Sequence, residues 1–217
     1  MGEFYTTVQA SLFFLTPDEL HKQQRPYTFK FPPNNGCPQS NMVHQKIDGI
    51  TVEDMRGREE QFQLERNGFT VLKIRKRSPM YPISDGTTKV LLDFYISQTT
   101  MLIVVAGSFW KPLRGPLNDW PLVLCDSSLI DVRKDLAIAD LLYPNLATEN
   151  SILYYRDGLK WYYLSDHDPN EIIVFKQMDS LRSACPGVPH ASFWNSLASE
   201  QEPPRESIEG RAMVFYD

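Results

Sequence analysis

Apolar residues recur at every second position in several stretches of this chain, and a period of two is the mark of half-buried strands. Tyr27, Phe29 and Phe31 alternate with Thr28 and Lys30, which predicts a short strand. IDGITVEDMRG from Ile47 and GFTVLKIRKR, with Phe69, Val71, Leu72 and Ile74, predict two more, read as an antiparallel pair. VLLDFYISQTTMLIVVAGSFW is dense in β-branched and aromatic residues without a helical period and predicts two core strands. In DSSLIDVRKDLAIADLLYP the spacing changes: Leu129, Ile130, Val132, Leu136, Ile138, Leu141 and Leu142 can share one helical face, predicting a helix or a broken pair. SILYYRDGLKWYYLS reads as a hairpin around Asp157-Gly158. EIIVFKQMDS follows as a strand, and ESIEGRAMVFY closes the chain as another, with Ile208, Met213 and Phe215 as its apolar set. PPNNGCPQSN excludes a regular element near the start, so residues 1–46 are read as an arm and loop.

Strands outnumber helices. The pattern predicts a mainly β fold with peripheral helices, a sandwich or jelly roll, in one domain spanning 1–217. The length of 217 residues suits one domain, and 42% hydrophobic residues supply its core. A formal charge of −5 argues against nucleic acid as a partner. Three cysteines, Cys37, Cys125 and Cys185, make no closed disulfide set. The N-terminus has Glu3 in place of a basic leader region, and together these features predict a reducing, cytoplasmic setting. The apolar stretch Val90 to Ala106 is interrupted by Asp93 and four polar residues, so it reads as core strand and no membrane partner is expected. Nucleotide-binding glycine motifs, a GxSxG elbow and an HExxH pair are all absent.

The candidate chemistry lies near the C-terminus, in CPGVPHASFWN and PPRESIEGRAMVF. A non-haem iron triad needs two imidazoles and a carboxylate on one face of the metal. None of the four histidines, His21, His44, His167 and His190, has a carboxylate two places on. Arg205 and Ser207 offer a planar fork and a hydroxyl to one carboxylate, a pairing suited to the distal carboxylate of 2-oxoglutarate. On spacing alone the structural reading dominates, with Arg205 paired to Glu202 or Glu209 and His190 a buried, hydrogen-bonded ring.

WYYLSDHDPNEIIVFKQMDS (161–180), PHASFWN (189–195) and PRESIEGRAMVFYD (204–217) resemble the C-terminal signature of the fungal AsaB-type hydroxylase/desaturase family, which takes in CmcJ-like proteins and gibberellin desaturases. FWKPLRGPLNDWPLVLCDSSLID (109–131) and VEDMRGREEQFQLERNGF (52–69) agree, in the same order. The resemblance implies a double-stranded β-helix, complete or incomplete, and an oxidoreductase of the iron(II) and 2-oxoglutarate dioxygenase-like type acting on a small secondary metabolite. It implies His190 as a metal ligand, and Arg205 and Ser207 as 2-oxoglutarate-binding residues. Trp110, Lys111, Pro112 and Trp161 to Tyr163 are expected to pack or to line the pocket. The chain also departs from the pattern: family members carry their His-x-Asp between the GF and FWKPL blocks, and here residues 77–108 hold no histidine. Only Asp85 and Asp93 offer carboxylates there. Two of the three expected iron ligands are therefore not found, and a metal-free protein that binds its small molecule without redox chemistry is the alternative reading.

Overall fold

A computed structural model describes residues 6–33, 36–74, 104–180 and 187–215. Twelve strands run through them: β1 (Thr7–Leu15), β2 (Tyr27–Phe29), β3 (His44–Asp54), β4 (Phe69–Lys73), β5 (Val104–Pro112), β6 (Leu122–Cys125), β7 (Leu136–Tyr143), β8 (Leu146–Leu153), β9 (Trp161–Tyr163), β10 (Glu171–Asp179), β11 (His190–Ser192) and β12 (Ser207–Phe215). A five-stranded sheet in the order β1-β3-β9-β6-β11 faces a four-stranded sheet, β12-β5-β10-β4. A side sheet, β2-β7-β8, completes the described strands. This is the mainly β jelly roll that the sequence predicts.

Alternation along the strands sorts side chains into layers. Leu122, Leu124 and Tyr162 of the five-stranded sheet meet Phe69, Trp110, Ile173 and Phe175 of the four-stranded sheet, forming the core between them. The alternate residues Val123, Cys125, Trp161 and Tyr163 face the other way and pack with Val8, Leu12, Phe14, Val52 and Phe193. Ile172 and Val174 of β10 join Phe109 and Leu64 on the far side of the four-stranded sheet. β10 is thus covered on both faces, which is why EIIVF reads as a continuous apolar run.

Several local expectations change. The segment read as an N-terminal arm contains β1, whose Val8, Ala10, Leu12 and Phe14 are buried and which pairs antiparallel with β3. β3 and β4 are not a pair but lie in different sheets. The helix read across residues 129–142 is one turn, α1 (Val132–Asp135), capped by the Asp131 side chain, and the chain then extends into β7. β7 is held between β8 and β2, and its buried residues are the small Ala137 and Ala139 while Ile138 stands exposed, so the apolar count misled. Long-range pairing overrode local spacing here. Gly158 does turn with φ of 86°, but β8 hairpins back onto β7 while β9 joins β3 and β6. The other helices among the described residues are short 3-10 turns at Glu19–Lys22, Glu59–Gln61 and Ser127–Leu129. The Val90 to Ala106 reading lies outside the described residues up to residue 103.

Candidate functional site

Directly opposed residues on antiparallel neighbours point to the same side of a sheet. Across β12 and β5, Ser207 is opposite Pro112, Glu209 opposite Trp110, and Arg211 opposite Ser108. Trp110 belongs to the core between the sheets, so Ser207, Glu209 and Arg211 lie on its side of β12, at the open edge, where Glu209 and Arg211 are exposed. On the opposing sheet, His190 is opposite Leu124 of the same core, so it faces inward. β11 and β12 are edge strands of their sheets. The cleft between them is the candidate site.

His190 is half-buried, with its ring 4.6 Å from that of Phe175. Its Nδ1 lies 2.8 Å from the Val188 carbonyl, which can only accept, so Nδ1 carries the proton and Nε2 keeps its lone pair in the neutral ring. Phe175 is opposite Ser108. Ser108, wholly buried, donates its hydroxyl to Glu209 Oε1 at 2.8 Å and accepts from Gln177 Nε2 at 2.8 Å. Gln177 reaches it because β10 carries an extra residue between Lys176 and Met178, a bulge that re-aims the side chain. Arg211 Nε also donates to Glu209 Oε1, at 2.9 Å. Partial burial opposes ionisation of Glu209, but Ser108, Arg211 and His190 outweigh it and hold its carboxyl below the ordinary value.

Arg205 precedes β12. Its backbone N–H donates to Asp119 Oδ2 at 2.9 Å and its guanidinium to the Trp120 carbonyl, so it ties the start of β12 to the loop before β6. Ser207, half-buried, begins the polar row. It stands four residues from Arg211, roughly 13 Å along the strand. His190 is therefore level with Ser108 and Phe175, while Arg205 and Ser207 mark one end of the cleft. The sequence reading passed over Ser108, Gln177, Glu209 and Arg211. The available signal was the row Ser207, Glu209, Arg211 at period two, but the apolar set of this strand drew the eye. In fact Val214 is buried, whereas Ile208 and Met213 are exposed.

The remaining histidines lie elsewhere. His44 is exposed at the start of β3, and His21 lies in a 3-10 turn beside the Asn41 carbonyl. His167 is buried, with its Nε2 donating to the Glu171 carbonyl at 3.1 Å and its ring 5.4 Å from that of Trp110. Burial pushes its pKa down to about 4. Beside it Arg56 forks onto both oxygens of Glu171, at 2.7 and 2.9 Å, and onto the Ser165 carbonyl. No group of three His, Cys, Asp or Glu side chains able to hold a metal occurs among the described residues.

A half-buried histidine and a polar row lie on the edge strands of this jelly roll, and comparisons with known proteins place the chain in a family. A family model described as an oxidoreductase/YMDC permease-like domain matches residues 12–108 and 103–215. The chain belongs to that family. It is 35% identical over 111 residues to the Fe(II)/2-oxoglutarate-dependent dioxygenase nvfI of Aspergillus novofumigatus, covering 51% of this chain and 40% of nvfI. It is 27% identical over 187 residues to the hydroxylase/desaturase asaB of Aspergillus flavus, covering 77% of this chain and 80% of asaB. The matched segment thus spans less than half of the first relative and most of the second. A solved variant of the iron and alpha-ketoglutarate-dependent endoperoxidase NvfI superposes with a TM-score of 0.79 at 23% identity, over 99% of each chain. That likeness shows the fold.

Iron and 2-oxoglutarate (alpha-ketoglutarate) are named in the descriptions of nvfI and of the solved NvfI variant. His190 fits one ligand position, since a carbonyl orients its ring and leaves Nε2 available. The rest of a two-histidine triad does not fit, because His167 is buried behind Trp110 with Nε2 on the Glu171 carbonyl, and His21 and His44 lie on other elements. Asp85 and Asp93 lie outside the described residues.

Proposed function

We propose that this chain is an oxidoreductase of the 2-oxoglutarate/iron(II) dioxygenase-like type acting on a small secondary metabolite in the cleft between β11 and β12. The observation that carries the reading is His190, inward-facing and oriented by Val188, in a chain similar to the Fe(II)/2-oxoglutarate-dependent dioxygenase nvfI and the hydroxylase/desaturase asaB. In this reading iron supplies activation of oxygen, while the chain binds and orients the small molecule against the wall of Phe175, Trp110 and Ser108. Arg205 and Ser207 stand for 2-oxoglutarate binding, with Arg205 turning from the Trp120 carbonyl to the ligand. A cytoplasmic setting and the absence of a nucleic-acid partner belong to the same proposal. Among the described residues no helix is long and apolar enough to cross a membrane.

A second reading rests on the ligand count. With one imidazole at the cleft, a metal-free protein that binds its ligand without redox chemistry needs no further donors. Anaerobic titration with iron(II) and 2-oxoglutarate separates the two. A stoichiometric visible charge-transfer band, lost in His190→Ala, establishes the oxidoreductase reading. A folded protein that gives no band overturns it in favour of the second.

A further inference from the structure

Two connections cross between the facing sheets at the same end of the cleft. Ser207, where β12 begins, is opposite Pro112, where β5 ends, and Ser192, where β11 ends, is opposite Leu122, where β6 begins. The β5–β6 and β11–β12 connections are therefore neighbours, and polar contacts fasten them together. Asn195 Nδ2 donates to the Asn118 carbonyl, Glu202 Oε1 accepts the N–H groups of Asn118 and Asp119, and Arg205 bonds the Asp119 carboxylate and the Trp120 carbonyl. This frame carries two indoles that it does not bury: Trp120 is 47% exposed and Trp194 63%.

Their placement follows from register. Continuing the β6–β11 ladder two residues past Leu122 and Ser192 brings Trp120 level with Trp194. Phe193 is buried on the other face of the sheet, so by alternation Trp194 falls on the face of His190 and Ser192. Trp120 also adopts φ of 43°, a left-handed conformation that is costly for a bulky residue and persists only where its surroundings impose it. A half-exposed ring gains little burial to offset that cost. A strained, firmly anchored indole level with a second exposed indole, at the end of a cleft, is suited to gripping a flat molecule.

We infer that Trp120 and Trp194 are specificity-determining residues that clamp the small molecule of the β11–β12 cleft, and that this molecule is flat, apolar and ring-bearing. The inference rests on the reading of that cleft as a small-molecule site and names the substrate class. Continuity with the cleft assigns the rings to its ligand rather than to a separate macromolecule.

The test is equilibrium dialysis of the whole chain with 2-naphthol and with its saturated counterpart, decahydro-2-naphthol, recording the unfolding midpoint and the iron(II)–2-oxoglutarate band for every variant. The wild-type chain is expected to bind one 2-naphthol, several-fold tighter than the saturated alcohol. Trp120→Ala and Trp194→Ala are each expected to weaken 2-naphthol binding about tenfold, and Trp194→Phe to retain most of it. Trp120→Gly relieves the backbone, so it is expected to lose binding as the alanine variant does while its unfolding midpoint holds or rises. A lower midpoint with unchanged binding makes the ring a packing residue and overturns the inference. So does a folded wild-type chain that binds no 2-naphthol, or a change in mass by light scattering without a change in binding, which assigns the rings to contact between copies. Binding lost in the tryptophan variants of a chain that gives no band sustains the clamp while the oxidoreductase reading falls. A band with binding indifferent to both tryptophans does the reverse.

Discussion

Two histidines in this fold each stand near a glutamate, and their surroundings give them opposite characters. His167 sits on Trp110 beside the Arg56–Glu171 pair, wholly enclosed, with Nε2 spent on a backbone carbonyl. His190 spends Nδ1 on a carbonyl, is half-buried and packs on Phe175 near the Ser108–Glu209 pair. The carboxylates differ in the same way. Glu171 has both oxygens occupied by Arg56, while Glu209 has both donors on one oxygen. A histidine–glutamate neighbourhood is therefore not a site in itself. What matters is whether a lone pair is left over, and where it points. The Arg56–Glu171–His167 region is enclosed and holds loops to strands, whereas the His190–Glu209 region is oriented and open to solvent.

The largest test of this contrast removes Arg56. Arg56→Ala leaves the enclosed Glu171 with only the Asp168 N–H and the more distant Lys73, and is expected to cost about 3 kcal/mol in urea unfolding, the lower end of the scale of a broken buried pair. A loss near zero would erase the distinction between the two regions.

The next test is pH. The unfolded chain protonates His167 near its ordinary 6.5, but the folded chain does so only near 4 because of burial. Between those values the unfolded state binds more protons, so stability falls as pH drops through the window, by about 3 kcal/mol at its lower end. Above pH 6.5 this group contributes no slope. His167→Gln is expected to flatten that part of the profile relative to the wild type, and unfolding midpoints at pH 7, 6, 5 and 4 check it. An unchanged profile would mean that His167 titrates as an open ring.

A smaller effect is expected at Gly187, next to the carbonyl that orients His190. A Cβ built there runs into the backbone oxygen of Gln177, and Val188 N–H donates to Lys176 at 2.8 Å, so the segment has little room to move. Gly187→Ala is expected to cost about 2 kcal/mol through overpacking, read from the unfolding midpoint. The smallest change is Arg211→Gln. Its side chain is 70% exposed, and its pairing with Glu209 is expected to contribute less than about 0.5 kcal/mol to stability. A larger cost would make the Glu209 region as structural as the Glu171 region.

How much of this was legible beforehand depends on the element. The strand character of β3, β4, β10 and β12 was readable because alternation and β-branched density are local. β1 was missed because the Pro- and Asn-rich stretch after it coloured the whole N-terminus. β7 was missed because Ala137 and Ala139, its inward residues, carry little hydrophobic signal, while Ile138 faces out. His190, Arg205 and Ser207 stood out as residue types in a block resembling a family. Ser108 and Gln177 did not, since a serine and a glutamine in apolar strands become informative only when a bulge and a register bring them onto Glu209.

By itself, the sequence determined that this is a mainly β chain with the C-terminal block of an oxidoreductase family and few histidines to spend on a metal. Those properties depend on composition and on spacing within a strand, which are fixed before any long-range contact forms. The tertiary structure alone decided that His167 is enclosed and His190 open, that Arg205 is tied to the Trp120 loop, and that Glu209 stands on the cleft side of β12 at its open edge. Pairing of β12 with β5 and of β11 with β6 sets those outcomes, because strand register chooses which face each side chain enters, and register is decided by burial against distant parts of the chain.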